Sequence, residues 1–465
     1  MKSKALKNRH SGILPISFTW IILLTLFLLP GCNLDDSKID SDTSGNILAS
    51  WGRKAAIDSS DNIYVTGTAY GDISDDSGTG ESDIYLGIYD SSGSLTTLVQ
   101  ETGFDNDDFA MDIAVEPTSG NVYIAGYTDS ELDASNDSGG SDIFIIKYNS
   151  AGTRQWLKQI GSGKDDFCWG IAIDSSENIF VTGSTYGVMP GAGVTNDVGI
   201  DLFLMKLDSS GNTDWVKQIE MEGSITEYTD SQSFGVSVAV DASDNVVMGG
   251  YTNDTLGSSK IGNTDVVLAK YDNSGNQSWF EQLGTTYSDY LQDVVVATSG
   301  NIYITGYTYG TIDASYDYSD YTENHDYSEM FLIKYNSSGT QQWVAQAGSS
   351  VNDFGYDAAL DSSENVFMTG VTRGDVTGDN LGYTDFVVLK YDSSGNQQWV
   401  IQDGSTSFDT ADGIVVDSSD DVFVTGRTYG TLNSVVNATS SFSAHLSKYE
   451  GADGSWDSTT MIGQD

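Results

Sequence analysis

The chain has 465 residues, with 20 Lys and Arg against 67 Asp and Glu, giving a formal charge of −47. That balance excludes a nucleic-acid binder, which must displace counterions from phosphates, and an anionic-headgroup binder, since no Lys/Arg cluster follows residue 9. With 38% apolar and 11% aromatic residues the chain can fill a core, which argues against disorder. Asp outnumbers Glu about four to one. Asp favours turns where Glu favours helices, so the acidity is expected in turns and loops.

The N-terminus reads as an address. Lys2, Lys4, Lys7 and Arg9 form a basic segment, and residues 13–29 are apolar. Leu29-Pro30-Gly31-Cys32 follows, the layout of a secretory signal with a small residue at the cleavage point. This resembles the bacterial lipobox, which implies that Cys32 is lipidated and becomes the first mature residue. The other reading is an uncleaved anchor with an unmodified Cys32, for which the apolar run is marginally long enough. Residues 1–31 are thus expected to be a lipoprotein signal peptide and 32–46 a polar tether rich in Asp and Ser. Cleavage removes four basic and no acidic residues, deepening the charge to about −51. Cys168 is then the one thiol besides the lipidated Cys32, and its apolar neighbours Phe167 and Trp169 suggest a buried, inert group.

From residue 47 on, the chain repeats itself. An apolar triplet, a turn and a strand ending in Gly recur seven times, as AAIDSSDNIYVTG to Gly67 and IAIDSSENIFVTG to Gly183. The other copies end at Gly126, Gly250, Gly306, Gly370 and Gly426, so successive glycines lie 59, 57, 67, 56, 64 and 56 residues apart. A second string alternates with it, as DIFIIKYNSAGTRQW to Trp156 and DFVVLKYDSSGNQQW to Trp399. Its segments are short, rich in Val, Ile, Phe and Tyr, and bounded by Asp, Ser, Asn and Gly, which are strand and turn signals. Each unit reads as four strands: a (the IAVD-like triplet), b (NIYVTG), c (DIFLIKY) and d (from near the Trp). Seven such antiparallel units spanning 47–465 predict an all-β, seven-bladed β-propeller. An open solenoid would need polar caps, and none is visible.

These strings resemble the SBBP-type β-propeller repeat family over about residues 47–463. The resemblance implies a seven-bladed ring on an exported bacterial protein and no particular activity. The a–b string also resembles the NHL repeat. The Gly-x-x-x-Trp of the c–d turn resembles the tryptophan docking motif of quinoprotein propellers, and the sialidase Asp-box is a poorer match. Ring closure stays open. Residues 42–51 look like a partial d strand able to complete the last blade, while residues 455–463 look like that blade's own d strand.

Five Trp (156, 215, 279, 343 and 399) keep one offset from the preceding Gly, which suits packing of blade on blade better than ligand stacking. The recurrent c-strand lysines (147, 206, 270, 334, 390 and 448) read as edge protection or partners for Asp. Alternating strand direction puts short, uniform a–b and c–d turns on one face and longer, variable b–c and d–a loops on the other, where binding is expected. Two features mark that second face. Asp108, Asp166, Asp289, Asp353 and Asp409 precede the a strands, with Asp112, Asp293 and Asp357 four residues on. Around a channel mouth such carboxylates suit Ca²⁺; as turn caps they would accept backbone N–H groups. The second feature is the b–c loop of unit five, where Tyr316, Tyr318, Tyr321 and Tyr327 stand among acidic residues. Tyr supplies rigid amphipathic contact area, suited to a glycan or protein ligand.

Catalysis finds little support. After cleavage only His325 and His445 remain, and neither has a histidine at metal-ligand spacing. The reading that results is a monomeric, lipid-anchored scaffold on the bacterial envelope, binding an envelope protein or glycan, with no cofactor beyond a possible Ca²⁺. The alternative is a Ca²⁺-dependent hydrolase or lyase acting on polysaccharide through channel-mouth Asp residues.

Overall fold

The computed structural model describes residues 49–70, 82–101, 107–132, 140–195, 199–219, 232–256, 260–315, 327–377, 381–435 and 442–462. These form seven antiparallel sheets of four strands, each in simple a-b-c-d order. Blade 1 consists of Ala49–Ile57, Ile63–Tyr70, Asp83–Tyr89 and Leu95–Gln100; blade 7 of Asp409–Val416, Val422–Thr428, Ser443–Tyr449 and Trp456–Met461. The a strands pack against one another around the ring, and that of blade 1 meets those of both blade 2 and blade 7. Strand a is therefore innermost and the ring is closed.

Each blade keeps its own four strands, which settles the closure question for the described residues. Trp456–Met461 is blade 7's own d strand, and residues 49–51 begin blade 1's a strand, pairing with Tyr70, Ala69 and Thr68. The seam is held by cross-links instead of an exchanged strand. Ser50 N–H donates to Phe442 O (3.3 Å), Ala444 N–H to Ser50 Oγ (3.0 Å), and Thr460 Oγ1 to Gly93 O (3.3 Å). Apolar packing follows the same logic. Seven hydrophobic clusters form, each shared by two neighbouring blades; Ile63, Val65 and Tyr85 of blade 1, for example, join Val415, Phe423 and Leu446 of blade 7.

The repeated turns work as the composition suggests. Asp174 Oδ1 accepts the N–H groups of Ser176 and Asn178, both at 2.9 Å, and Asp58, Asp241, Asp361 and Asp417 repeat the pattern. One detail differs from expectation. In five a–b turns the left-handed residue is Asp or Glu, not Gly or Asn: Asp61, Glu177, Asp244, Glu364 and Asp420 have φ between 59° and 68°. Such a conformation is costly for these residues. Four of them use the outward-turned carboxylate to grip the preceding blade. Glu177 accepts from Tyr123 Oη (2.6 Å) and Lys147 Nζ (2.6 Å), Glu364 from Asn301 Nδ2 (2.9 Å), Asp244 from Ser175 and Asp61 from Ser418.

The Trp and Lys strings also act between and within blades. Trp215, Trp279, Trp343 and Trp399 each donate Nε1–H to a carbonyl in the next blade's c–d turn, at 3.2–3.3 Å. The rings lie on that turn's Gly, where any Cβ on Gly275, Gly339 or Gly395 would press into the indole. They remain half-exposed, so their docking stabilises by less than full burial would. The c-strand lysines are nearly buried and paired, as in Lys270 Nζ to Asp241 Oδ2 at 2.8 Å, rather than guarding a sheet edge. In blade 1 the Lys–Trp pair is replaced by Ile88 and Thr97. In blade 7 Ser458 stands opposite Lys448, and Trp456 lies two residues early and 46% exposed.

Candidate functional site

Every a strand carries one extra residue. The a–b register slips at the same place in all seven blades, leaving Arg53, Met111, Trp169, Val236, Gln292, Tyr356 and Asp412 unpaired. This β-bulge explains the repeated Gly of strand b. A Cβ at Gly67, Gly126, Gly183, Gly250, Gly306, Gly370 or Gly426 would strike the a-strand carbonyl just before the bulge. Bulges re-aim side chains and recur beside functional sites. Here they lie on the innermost strand, toward the b–c and d–a loops. The repeat is nearly uniform at its Trp, Lys, Gly and turn Asp positions, yet the seven bulge residues are all different.

Two residues before the bulge stands an aromatic ring in six blades, with Thr410 in blade 7, and its strand-b partner is also aromatic in blades 2, 4 and 5. Phe109 and Tyr127 lie 5.0 Å apart, and Tyr127 reaches Phe167 (4.9 Å) and Trp169 (5.8 Å) of blade 3. A longer arc runs Phe234–Tyr251 (5.1 Å), Tyr251–Tyr290 (5.0 Å), Tyr290–Tyr307 (4.9 Å), Tyr307–Phe354 (4.9 Å) and Phe354–Tyr356 (6.5 Å), through blades 4 to 6. At the seam Arg427 lies over Trp51 at 4.3 Å and Arg53 over the same ring at 4.9 Å. Phe109, Tyr127 and Phe167 are buried; the other rings are partly exposed. Arg53 feels Asp412, Tyr127, Arg427 and Tyr356, groups from blades 2, 6 and 7, so its guanidinium sits where the blades converge. The sequence reading missed this collar. The signal was present, since aligning the copies gives Asp-aromatic three residues before a variable position, but the bulge cannot be read from a β pattern.

The residue after each bulge forms a second layer: Lys54, Asp112, Gly170, Ser237, Asp293, Asp357 and Gly413. Each acidic or hydroxyl member accepts a backbone N–H from the next blade. Asp112 takes Ile171 N–H (2.8 Å), Ser237 takes Val294 N–H (3.1 Å), Asp293 takes Ala358 N–H (3.2 Å) and Asp357 takes Ile414 N–H (2.8 Å). Lys54 hydrogen-bonds Asp357 and stands 4.0 Å from Asp293. Burial pushes Asp112 up to about 6 and Asp357 well above the usual carboxylate range, partly offset by Lys54. These three Asp therefore lie midway along strand a, not at its entry, and they lace the ring together.

The five Asp expected at the channel mouth open the a strands, but all are fully buried. Four of them cap the d–a turn that precedes them. Asp289 accepts Thr285 N–H (2.6 Å) and Asp409 accepts Ser405 N–H (2.7 Å); Asp166 and Asp353 repeat the contact with Ser162 and Ser349. Asp108 takes a longer bond from Ser130 Oγ, 3.5 Å. Each stays in its own blade, and among the described residues no group of three His, Cys, Asp or Glu is placed to hold a metal. Several are paired with an acid of the preceding blade: Asp83 bears on Asp108, Asp142 on Asp166, Asp265 on Asp289 and Asp409 on Asp385. Burial pushes Asp108 up to about 7 and Asp166 and Asp353 up to about 6. Among the described residues the Oδ1 atoms of Asp108, Asp385 and Asp409 are buried without a hydrogen bond. A neighbouring carboxylate in a dry setting adds to the upward push on Asp108 and Asp385.

Of the loop tyrosines, Tyr316, Tyr318 and Tyr321 lie outside the described residues, and Tyr327 is 45% exposed. Cys32 and His325 also lie outside them. His445 is buried between Thr410 O (3.0 Å) and Ser447 Oγ (3.1 Å), with burial lowering its pKa, so it is a neutral packing group. Cys168 is buried with its pKa raised by desolvation, the inert thiol expected.

Seven four-stranded blades, closed on themselves and opening on one face through an aromatic collar, define a seven-bladed β-propeller. Residues 155–188 match the SBBP family model, described as a beta-propeller repeat. The matched residues span the d strand of blade 2 and the a and b strands of blade 3. It is 28% identical over 267 residues to an uncharacterized WD repeat-containing protein, L264, of Acanthamoeba polyphaga mimivirus, covering 47% of this chain and 18% of the relative. It is 26% identical over 198 residues to the regulatory protein FlaEY of Caulobacter vibrioides, covering 39% of this chain and 20% of that protein. The chain thus matches about a fifth of the length of these relatives. Among solved structures, a puromycin hydrolase aligns over 90% of this chain and 54% of its own, at 9% identity and a TM-score of 0.49.

Proposed function

We propose that this chain is an exported, lipid-anchored binding scaffold of the bacterial envelope, which takes its ligand at the collar on the b–c and d–a loop face. The observation that carries the reading is the bulge position. Packing constraints make repeat positions alike, so seven different side chains on the innermost strands point to recognition of an asymmetric ligand. The collar has the composition of a binding surface, with partly exposed aromatic faces beside a few convergent polar groups. Tyr327, 45% exposed just before the c strand of blade 5, would extend the contact. The basic segment, the apolar run and Cys32 support export and anchoring.

The test is capture. Full-length protein in detergent is screened against a glycan array and envelope extracts, beside Trp169→Ala and Tyr356→Ala. Both variants should keep the melting temperature within a few degrees and lose capture at least tenfold, since an aromatic anchor contributes on the order of 1–2 kcal/mol or more. Undiminished capture by both variants would refute the collar as the site. Cys32→Ala should move the protein from the membrane to the soluble fraction, and unchanged partitioning would refute the anchor.

A further inference from the structure

We propose that the collar is an anion site, in which Arg53, with Arg427 beside it, holds the carboxylate of a ring-bearing monoanion. This rests on the collar being the binding site and names the chemistry it selects. The chain has five Arg (9, 53, 154, 373 and 427) in a molecule of charge −47. Three of the five, Arg53, Arg373 and Arg427, act on the single side chain of Tyr356. A strongly acidic protein that gathers its scarce guanidinium groups at one mouth has made a local exception to its own field.

Arg53 is the informative member. It contacts the face of Trp51 at 4.9 Å, and among the described residues it makes no hydrogen bond or ion pair. Asp412 faces it from beyond 4.0 Å, and its Oδ2 already accepts Trp51 Nε1–H (3.0 Å) and Thr410 Oγ1–H (2.7 Å). Stacking at the seam explains why an Arg could lie on Trp51, but among the described residues it leaves the guanidinium N–H donors without a hydrogen-bond partner. The residue is partly exposed at the mouth, and burial pulls its pKa down against the attraction of Asp412. A partly exposed guanidinium on a bulge, stacked on one face by Trp51, can present its N–H edge to a ligand's counter-charge. The planar fork fits a carboxylate with two parallel hydrogen bonds. The flanking rings of Trp51, Trp169 and Tyr356 suit a cyclic body carrying that carboxylate. The surrounding negative field disfavours long polyanions, so the occupant is small and singly charged.

Two sources share this chemistry, a uronic-acid sugar and an aromatic acid. Full-length protein in detergent is titrated with D-glucuronate, D-glucose, benzoate and benzyl alcohol, read by tryptophan fluorescence and thermal melting. One acid should bind at least about tenfold more tightly than its neutral counterpart and raise the melting temperature. Whichever acid does so identifies the source. Arg53→Gln should abolish the acid-induced shift. Arg53→Lys should lose most of the affinity, because the two-pronged contact is gone. Equal binding of acid and neutral partner, no binding of either acid, or undiminished acid binding by Arg53→Gln would each overturn the inference. Envelope capture lost in Trp169→Ala but kept in Arg53→Gln overturns the anion site alone; capture kept in both overturns the collar as well.

Discussion

Lys54→Met tests whether the layer beneath the collar holds the ring closed. Lys54 comes from blade 1 and its partners Asp357 and Asp293 from blades 6 and 5, so the cluster spans the channel. The Lys54 side chain is 17% exposed and that of Asp357 is 8% exposed, so the pair is largely shielded from solvent. Asp357 also accepts the N–H of Ile414, which leaves Oδ1 without a counter-charge once Lys54 is gone. Breaking one partner of a buried pair costs about 3–5 kcal/mol. For a ring of about 400 residues the unfolding entropy is roughly 0.9 kcal/mol per kelvin, so the melting temperature should fall by about 3–5 °C at pH 8. Burial already biases Asp357 toward its neutral form, so in the variant it takes up a proton as pH falls. The loss should therefore shrink at pH 5. Lys54→Met combined with Asp357→Asn should recover most of it, since neither charge is left unpaired. The assay is thermal unfolding of the two single variants and the double at both pH values. An equal loss at pH 8 and pH 5, with no recovery in the double variant, would refute the pairing as the cause.

Other measurements test the remaining physics. Asp108, raised to about 7, and Asp112, Asp166 and Asp353, raised to about 6, bind protons in the folded chain at pH values where unfolded carboxylates, near 4, do not. Stability should therefore rise as pH falls from 8 to 5; it should decline below about 4, where turn carboxylates held low by hydrogen bonds, such as Asp208 and Asp272, become protonated. A melting temperature that falls steadily from pH 8 to 5 would contradict this. Trp399→Ala should cost roughly 2–3 kcal/mol, because its ring docks on blade 7, while Trp456→Ala should cost under about 0.5 kcal/mol; equal losses in urea unfolding would count against docking. Adding millimolar Ca²⁺ after chelation should shift the melting temperature by less than about 1 °C, because the buried Asp are engaged as turn caps; a rise of several degrees would restore the metal reading.

Much of the fold was legible in the linear chain because its turns are local devices. An Asp that accepts N–H groups two and four residues ahead needs nothing from the rest of the molecule, and its copies in five a–b turns and four c–d turns mark out the strands. The Gly-x-x-x-Trp spacing was equally readable as a packing device, although which carbonyl each indole meets belongs to the neighbouring blade. The site was much less legible. That the Asp opening the a strands are buried was not legible, since burial depends on the preceding blade's c strand packing against the a strand. The aromatic collar was hidden for a similar reason. Phe109 and Tyr127 are close in the chain, but Tyr127 meets Phe167 and Trp169 only when two blades stand side by side.

By itself, the sequence determined the number of units, their strand order, their turn chemistry and the acidity, all of which arise within some 60 residues of chain. Tertiary structure decided what those units do together. Ring closure brought Arg53 of blade 1 beside Asp412 and Arg427 of blade 7, more than 350 residues away, and set Lys54 against Asp357. The bulge, invisible as a pattern, turned one position per blade toward the channel and explained the repeated glycine that had first revealed the repeat. The physical reason is that hydrogen bonds within a turn are written in adjacent residues, whereas a guanidinium's partners, or their absence, are fixed only when seven sheets converge.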